Sequence, residues 1–147
     1  MERQLEVWLI VGLTTITAGC WSPTPPLPPL LRNVSAGGGW WGACPAETVE
    51  DARLRQGMPL AISPELNQHL NQSFPPGTAE LLLRERLNNW GFTELPPCPG
   101  DSSIHGAAFV QHGGNVFSAA MTANVFWKVD GAKNIVWTKG FVRYAGL

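Results

Sequence analysis

The sequence predicts an α+β domain: two short helices packed on one face of a three- to four-stranded antiparallel sheet, after a signal segment and a Pro/Gly-rich linker. Three observations predict it. Residues 64–91 carry two amphipathic repeats at helical spacing, each opened by a capping residue. Residues 104–144 carry runs rich in Val, Ile, Phe and Trp, separated by Gly-containing turns. Everything before Cys44 has another texture, an apolar stretch followed by clustered Pro and Gly. The division is therefore a signal at 1–19, a linker at 20–43 and the domain at 44–147.

The totals agree with one domain. The chain has 147 residues, and charged residues make up only 14% of it, well below the usual quarter. Asn, Gln, Ser and Thr must then supply much of the surface. Net charge is −1, and without residues 1–19 the basic and acidic residues balance. No cluster of Lys and Arg exists to neutralise phosphates, so no nucleic-acid partner is expected.

The N-terminal stretch "MERQLEVWLIVGLTTITAGC" has Arg3, an apolar run from Val7 to Ala18, then small residues. That is the layout of a secretory signal, although Glu2 and Glu6 offset Arg3. The run is too short for a bilayer crossing, which needs roughly twenty residues. The tetrad Thr17-Ala18-Gly19-Cys20 resembles the bacterial lipobox, with Thr17 standing where Leu is usual. The resemblance implies cleavage before Cys20 and a covalent lipid anchor there. It implies a cell-envelope protein facing the periplasm, the outer membrane favoured over the inner.

Three cysteines is an odd number, which in an exported protein directs attention to the one without a partner. If Cys20 carries lipid, Cys44 and Cys98 remain as a pair, and an oxidising compartment permits their disulfide. Closing a loop of that length contributes roughly 4 kcal/mol in the chain-entropy treatment. A metal site is the competing reading. It lacks a C-x-x-C pair, and the three His are scattered, so no metal and no cofactor is expected.

The linker opens with "WSPTPPLPPLL", whose prolines favour a polyproline II spacer. A ligand for an aromatic groove is its alternative. Gly37, Gly38 and Gly39 then form a flexible joint. Trp40 and Trp41 either fold back on the domain or rest at the membrane interface. Residues Cys44–Gly57 form a short helix or stay irregular.

The first clear helix begins at Ser63, a capping residue, with Pro64 at the first position, where its missing N–H costs nothing. Leu66, Leu70 and Phe74 fall on one face, and His69 lies off it as a solvated residue. "FPPGT" breaks the chain. Thr78 is the expected cap of the second helix, with Leu83, Leu87 and Trp90 on its apolar face and Glu80–Arg84 as an i, i+4 pair. Gly91 closes it.

From Leu95 onward prolines surround Cys98 in a loop. "HGAAFVQ", "AMTANVFWKVD" and "NIVWTKGFVRY" read as strands, the last two joined by the hairpin loop "DGAKN". Val125, Trp127 and Val129 share one face. In the last strand both alternations are apolar: Val136, Val142 and Tyr144, or Ile135, Trp137 and Phe141. Either the core is larger than two helices require, or the second face binds something. Trp137 and Phe141 are the candidate binding surface.

Catalysis finds little support. Asp101, Ser102 and His105 lie within five residues, but one loop rarely aligns a triad, and no G-x-S-x-G elbow is present. The order of anchor, spacer, two helices around "PGT" and a closing hairpin resembles the small lipoproteins that assist outer-membrane β-barrel assembly, within the β-lactamase-inhibitor-like fold group. Gly77, Thr78 and Leu82 or Leu83 match that group's helix start. "ANVFWKVDGAKNIVWTKG" is similar to its final hairpin. "WGFT" stands where the family has L-G-x-P. The resemblance implies a non-catalytic binding or adaptor module for an envelope protein, held to lipid at Cys20. The alternative is an inhibitor or enzyme-binding module of the same fold, and a small hydrolase follows after both.

Overall fold

The computed structural model describes residues 26–35, 44–45, 63–112 and 120–145. The expected signal, Cys20, the Gly37–Gly39 joint, Trp40 and Trp41, and most of the Cys44–Gly57 segment lie outside the described residues. Among the described residues two α-helices, α1 (Pro64–Ser73) and α2 (Glu80–Asn89), precede a sheet of β1 (Thr93–Leu95), β2 (Ile104–Gln111), β3 (Ala120–Val129) and β4 (Ile135–Ala145). The strands are antiparallel in the order β1-β2-β3-β4, with the helices on one face. The fold is α+β.

Helix α1 starts as its sequence predicts. The Ser63 hydroxyl accepts from the Leu66 N–H at 3.4 Å, Pro64 occupies the first turn, and Leu66, Leu70 and Phe74 are buried. The helix lies directly on the outer strand. The Ser63 N–H donates to the Gly140 carbonyl (3.1 Å), and the Gly140 N–H donates to Asn67 Oδ1 (3.0 Å). These bonds occupy part of an edge that would otherwise present open pairing groups. A Cβ on Gly140 would run into the branch of Leu66, so only glycine permits this approach.

Helix α2 departs from expectation at its start. Ala79, not Thr78, is the N-cap, and no side chain caps the helix. The chain turns at Gly77 (φ 89°) and then runs beside the start of β4, where Ala79 bridges to Asn134: the Gly77 N–H donates to Ile135 O, and the Ile135 N–H to Thr78 O, each at 2.8 Å. Thr78 is thus committed to tertiary pairing. Its hydroxyl donates to Pro75 O (2.7 Å), and the Glu80 N–H finds the Lys133 carbonyl at 2.9 Å. A hairpin carbonyl does what a capping side chain usually does. The C-terminus follows the sequence: Gly91, at φ 83°, allows the Phe92 N–H to return to Leu87 O (3.0 Å) and its own N–H to Asn88 O (2.9 Å).

The main core lies between the helices and the sheet. Leu66, Leu70, Leu83 and Leu87 meet Ala107, Val125, Trp127 and Val142. Leu30, Leu31 and Val34 join this core, although the sequence places them in the linker. Pro29–Leu31 forms a 3-10 turn, and this strap runs beside α1. His69 Nδ1 lies 2.9 Å from the Leu30 carbonyl, Glu65 accepts from the Ser35 N–H and hydroxyl, and the Tyr144 hydroxyl donates to Val34 O. His69 is therefore a half-buried strap contact, not a solvated residue. This part of the expected spacer belongs to the domain.

Two further differences concern the sheet. Strand β1 has three residues, too few for a legible alternation. A register shift at Lys128/Val129 sends Ile135 to the helix face while Trp137 and Phe141 face the other way. Simple alternation in β4 would have kept all three together.

Candidate functional site

The face of the sheet away from the helices carries the predicted binding pair. Phe141 is 1% exposed and meets Phe126 edge-on (centroids 6.0 Å apart) within a cluster that includes Ile104 and Cys98. It offers no area to a partner in this arrangement. Trp137 is half-buried at the cluster's margin, with the Lys139 ammonium 4.5 Å from its ring centroid. A disulfide joins Cys44 to Cys98 over this face. The Cys98 loop is drawn onto the sheet by the Cys98 N–H donating to Ile104 O and the Val129 N–H donating to Ser103 O.

Asp101, Ser102 and His105 are not brought together. Asp101 organises its own loop: Oδ1 accepts from the Ser103 N–H (2.9 Å) and hydroxyl (2.5 Å), and Oδ2 from Lys128 Nζ (3.0 Å). The Ser103 hydroxyl, then Lys128, lowers the Asp101 carboxyl to about 2. Ser102 is exposed, and His105 points through the sheet to the helix side.

There His105 enters a polar cluster that the sequence does not announce. Glu80 turns inward and is 6% exposed. Its Oε1 accepts from the Trp127 indole N–H at 3.1 Å and lies 3.6 Å from His105 Nε2. The imidazole stacks on the Trp127 ring, 6.0 Å between centroids. Cross-strand register explains the assembly, since His105 and Thr138 both flank Trp127. His105 Nε2 and Thr138 Oγ1 are buried without a hydrogen-bond partner among the described residues. A buried Trp needs an acceptor for its N–H, which is the one signal that could have directed attention to a carboxylate above it.

Because Glu80 turns inward, Arg84 does not pair with it. Arg84 instead makes a two-point ion pair with Glu94 on β1, at 2.8 and 2.7 Å. The guanidinium holds the Glu94 carboxyl below the usual range, and Glu94 in turn raises Arg84. Both side chains are well exposed, so the pair adds little stability. An open cleft of about 320 Å³ lies between the first two turns of α2 (Glu80, Leu81, Arg84) and the hairpin turn (Ala132, Lys133, Asn134). Leu81 is 66% exposed on its wall.

Chemically, this arrangement buries the Glu80 carboxyl against an indole N–H at the wall of a cleft whose rim combines an apolar side chain with two cations. Among the described residues no group of three or more His, Cys, Asp or Glu could hold a metal ion, and no helix is long and apolar enough to cross a membrane. No protein-family model, no curated protein and no solved structure matches the chain.

Proposed function

We propose that this protein is a non-catalytic binding or adaptor module of the cell envelope, anchored through lipid at Cys20 and facing the periplasm. The observation that carries the reading is the Cys44–Cys98 disulfide. It uses two of the three cysteines in the sequence. The third is the one that follows the apolar run and matches the lipobox. Structural disulfides belong to oxidising compartments such as the periplasm. The resemblance to small outer-membrane-assembly lipoproteins supports an envelope protein as the partner.

The docking surface in this reading is the rim of the α2 cleft. Leu81 there supplies an exposed apolar anchor, flanked by Arg84 and Lys133, the composition of an apolar centre with a polar rim. Phe141 is excluded from it by burial. The test begins with the intact mass of the protein extracted from membranes, beside a Cys20→Ala variant. A chain starting at Cys20 and carrying lipid supports the reading, and an unmodified full-length chain overturns it. Crosslinking in cells with Leu81→Glu then addresses the surface: loss of the crosslinked partner from a folded variant supports the cleft rim, and unchanged capture excludes it.

A further inference from the structure

The strap bears on how the domain sits relative to the lipid. Leu30 and Leu31 are 2% and 1% exposed, and Val34 is 7% exposed, all within the main core. Polar contacts hold the strap along its length. Leu30 O lies against His69, Val34 O accepts from Tyr144, and Ser35 donates twice to Glu65. Residue 30 lies beside residue 69 and residue 35 beside residue 65, so the strap runs antiparallel to α1. The chain enters the domain toward the C-terminal end of α1 and leaves toward its N-terminus.

We infer that this docking shortens the membrane tether: from Leu27 onward the chain belongs to the domain, and only residues 21–26 are left to hold it at the bilayer. The inference rests on lipidation at Cys20. Seven residue steps separate Cys20 from Leu27, the first strap residue packed on the core, a span of at most about 25 Å when fully extended. A free spacer from Cys20 to Cys44 would reach about 80 Å. The docked strap removes most of that range. A domain confined this way keeps its strap end close to the anchor and does not sample the periplasm far from it.

The two geometries are separated by inserting the same twelve-residue Gly/Ser segment at either of two places. One insertion follows Trp21, before the strap, and the other follows Gly38, after it. Such a segment spans on the order of 20 Å. The lipidated proteins are placed in a supported bilayer, and neutron reflectometry reads the height of the domain. The insertion before the strap is expected to raise the domain by on the order of 10 Å or more, and the insertion after it to leave the height unchanged. Equal rises from both, or none from either, overturn the short tether while leaving the anchor intact. A mass spectrum showing no lipid on Cys20 overturns both.

Discussion

The two faces of the sheet are stabilised by different means. The helix face packs four leucines from α1 and α2, the strap aliphatics and Trp127 into one continuous core. The opposite face buries a much smaller cluster, Ile104, Phe126, Phe141 and Cys98, under a proline-rich loop tied to Cys44. Apolar burial suffices where whole helices can be laid down. A loop with little to bury needs a covalent constraint on the unfolded chain. The contrast extends to polar groups. On the helix face a carboxylate is buried against an indole N–H, whereas on the other Asp101 stays near solvent and is satisfied by its own loop and Lys128.

The largest effect should come from the helix face. Trp127→Ala removes the biggest fully buried side chain among the described residues and leaves Glu80 without its indole donor, costing about 4–5 kcal/mol. Urea denaturation reads this directly, and a loss under 2 kcal/mol would mean that the core does not depend on it. Removing the disulfide with Cys44→Ser and Cys98→Ser together should cost roughly 4 kcal/mol. Methyl NMR sharpens that comparison: Ile104 signals should shift and broaden while those of Leu66 and Leu83 persist. Equal disturbance of both sets would show that the faces form one cooperative unit.

Glu80→Ala should cost about 2 kcal/mol by leaving the buried indole N–H unpaired, and Glu80→Gln much less, because its amide oxygen still accepts. If both variants lose the same amount, the hydrogen bond to Trp127 is not what Glu80 contributes. Acid has a smaller effect on each face. Glu65, bonded first of all to the Ser35 hydroxyl, is lowered from 4.5 to about 2, and Asp101 from 3.8 to about 2. Both folded values lie below the unfolded ones. Their stabilisation is therefore complete above the unfolded values and is lost as pH falls toward 2. Melting temperatures between pH 5 and pH 2 should fall less steeply for Glu65→Gln and Asp101→Asn than for the parent. Both groups are half-exposed and screened by solvent, so the slopes are shallow. The smallest expected change is a gain: Lys133 sits at φ 63° in the hairpin turn, and Lys133→Gly should relieve the left-handed conformation by about 0.5 kcal/mol. A lower melting temperature would contradict it.

Much of the fold is legible in local pattern. Ser63-Pro64 and Gly91 mark helix ends because caps act within one turn of chain. The leucines of α1 and α2 mark the buried faces because helical periodicity repeats every few residues. The strands β2, β3 and β4 and the hairpin between the last two follow from their residue types, and the odd cysteine points to the Cys44–Cys98 pair once Cys20 is set aside. The rest depends on contacts between distant parts of the chain. Thr78 has the chemistry of a cap but pairs with Ile135, and Glu80 has the spacing to meet Arg84 but turns to Trp127. The β3–β4 register shift separates Ile135 from Trp137, and "PLL" looks like spacer until α1 and β4 offer it a surface. Local sequence determines which conformations are cheap. Only the assembled sheet and helices decide which groups must be satisfied together, because a buried donor or an exposed leucine is defined by its distant neighbours.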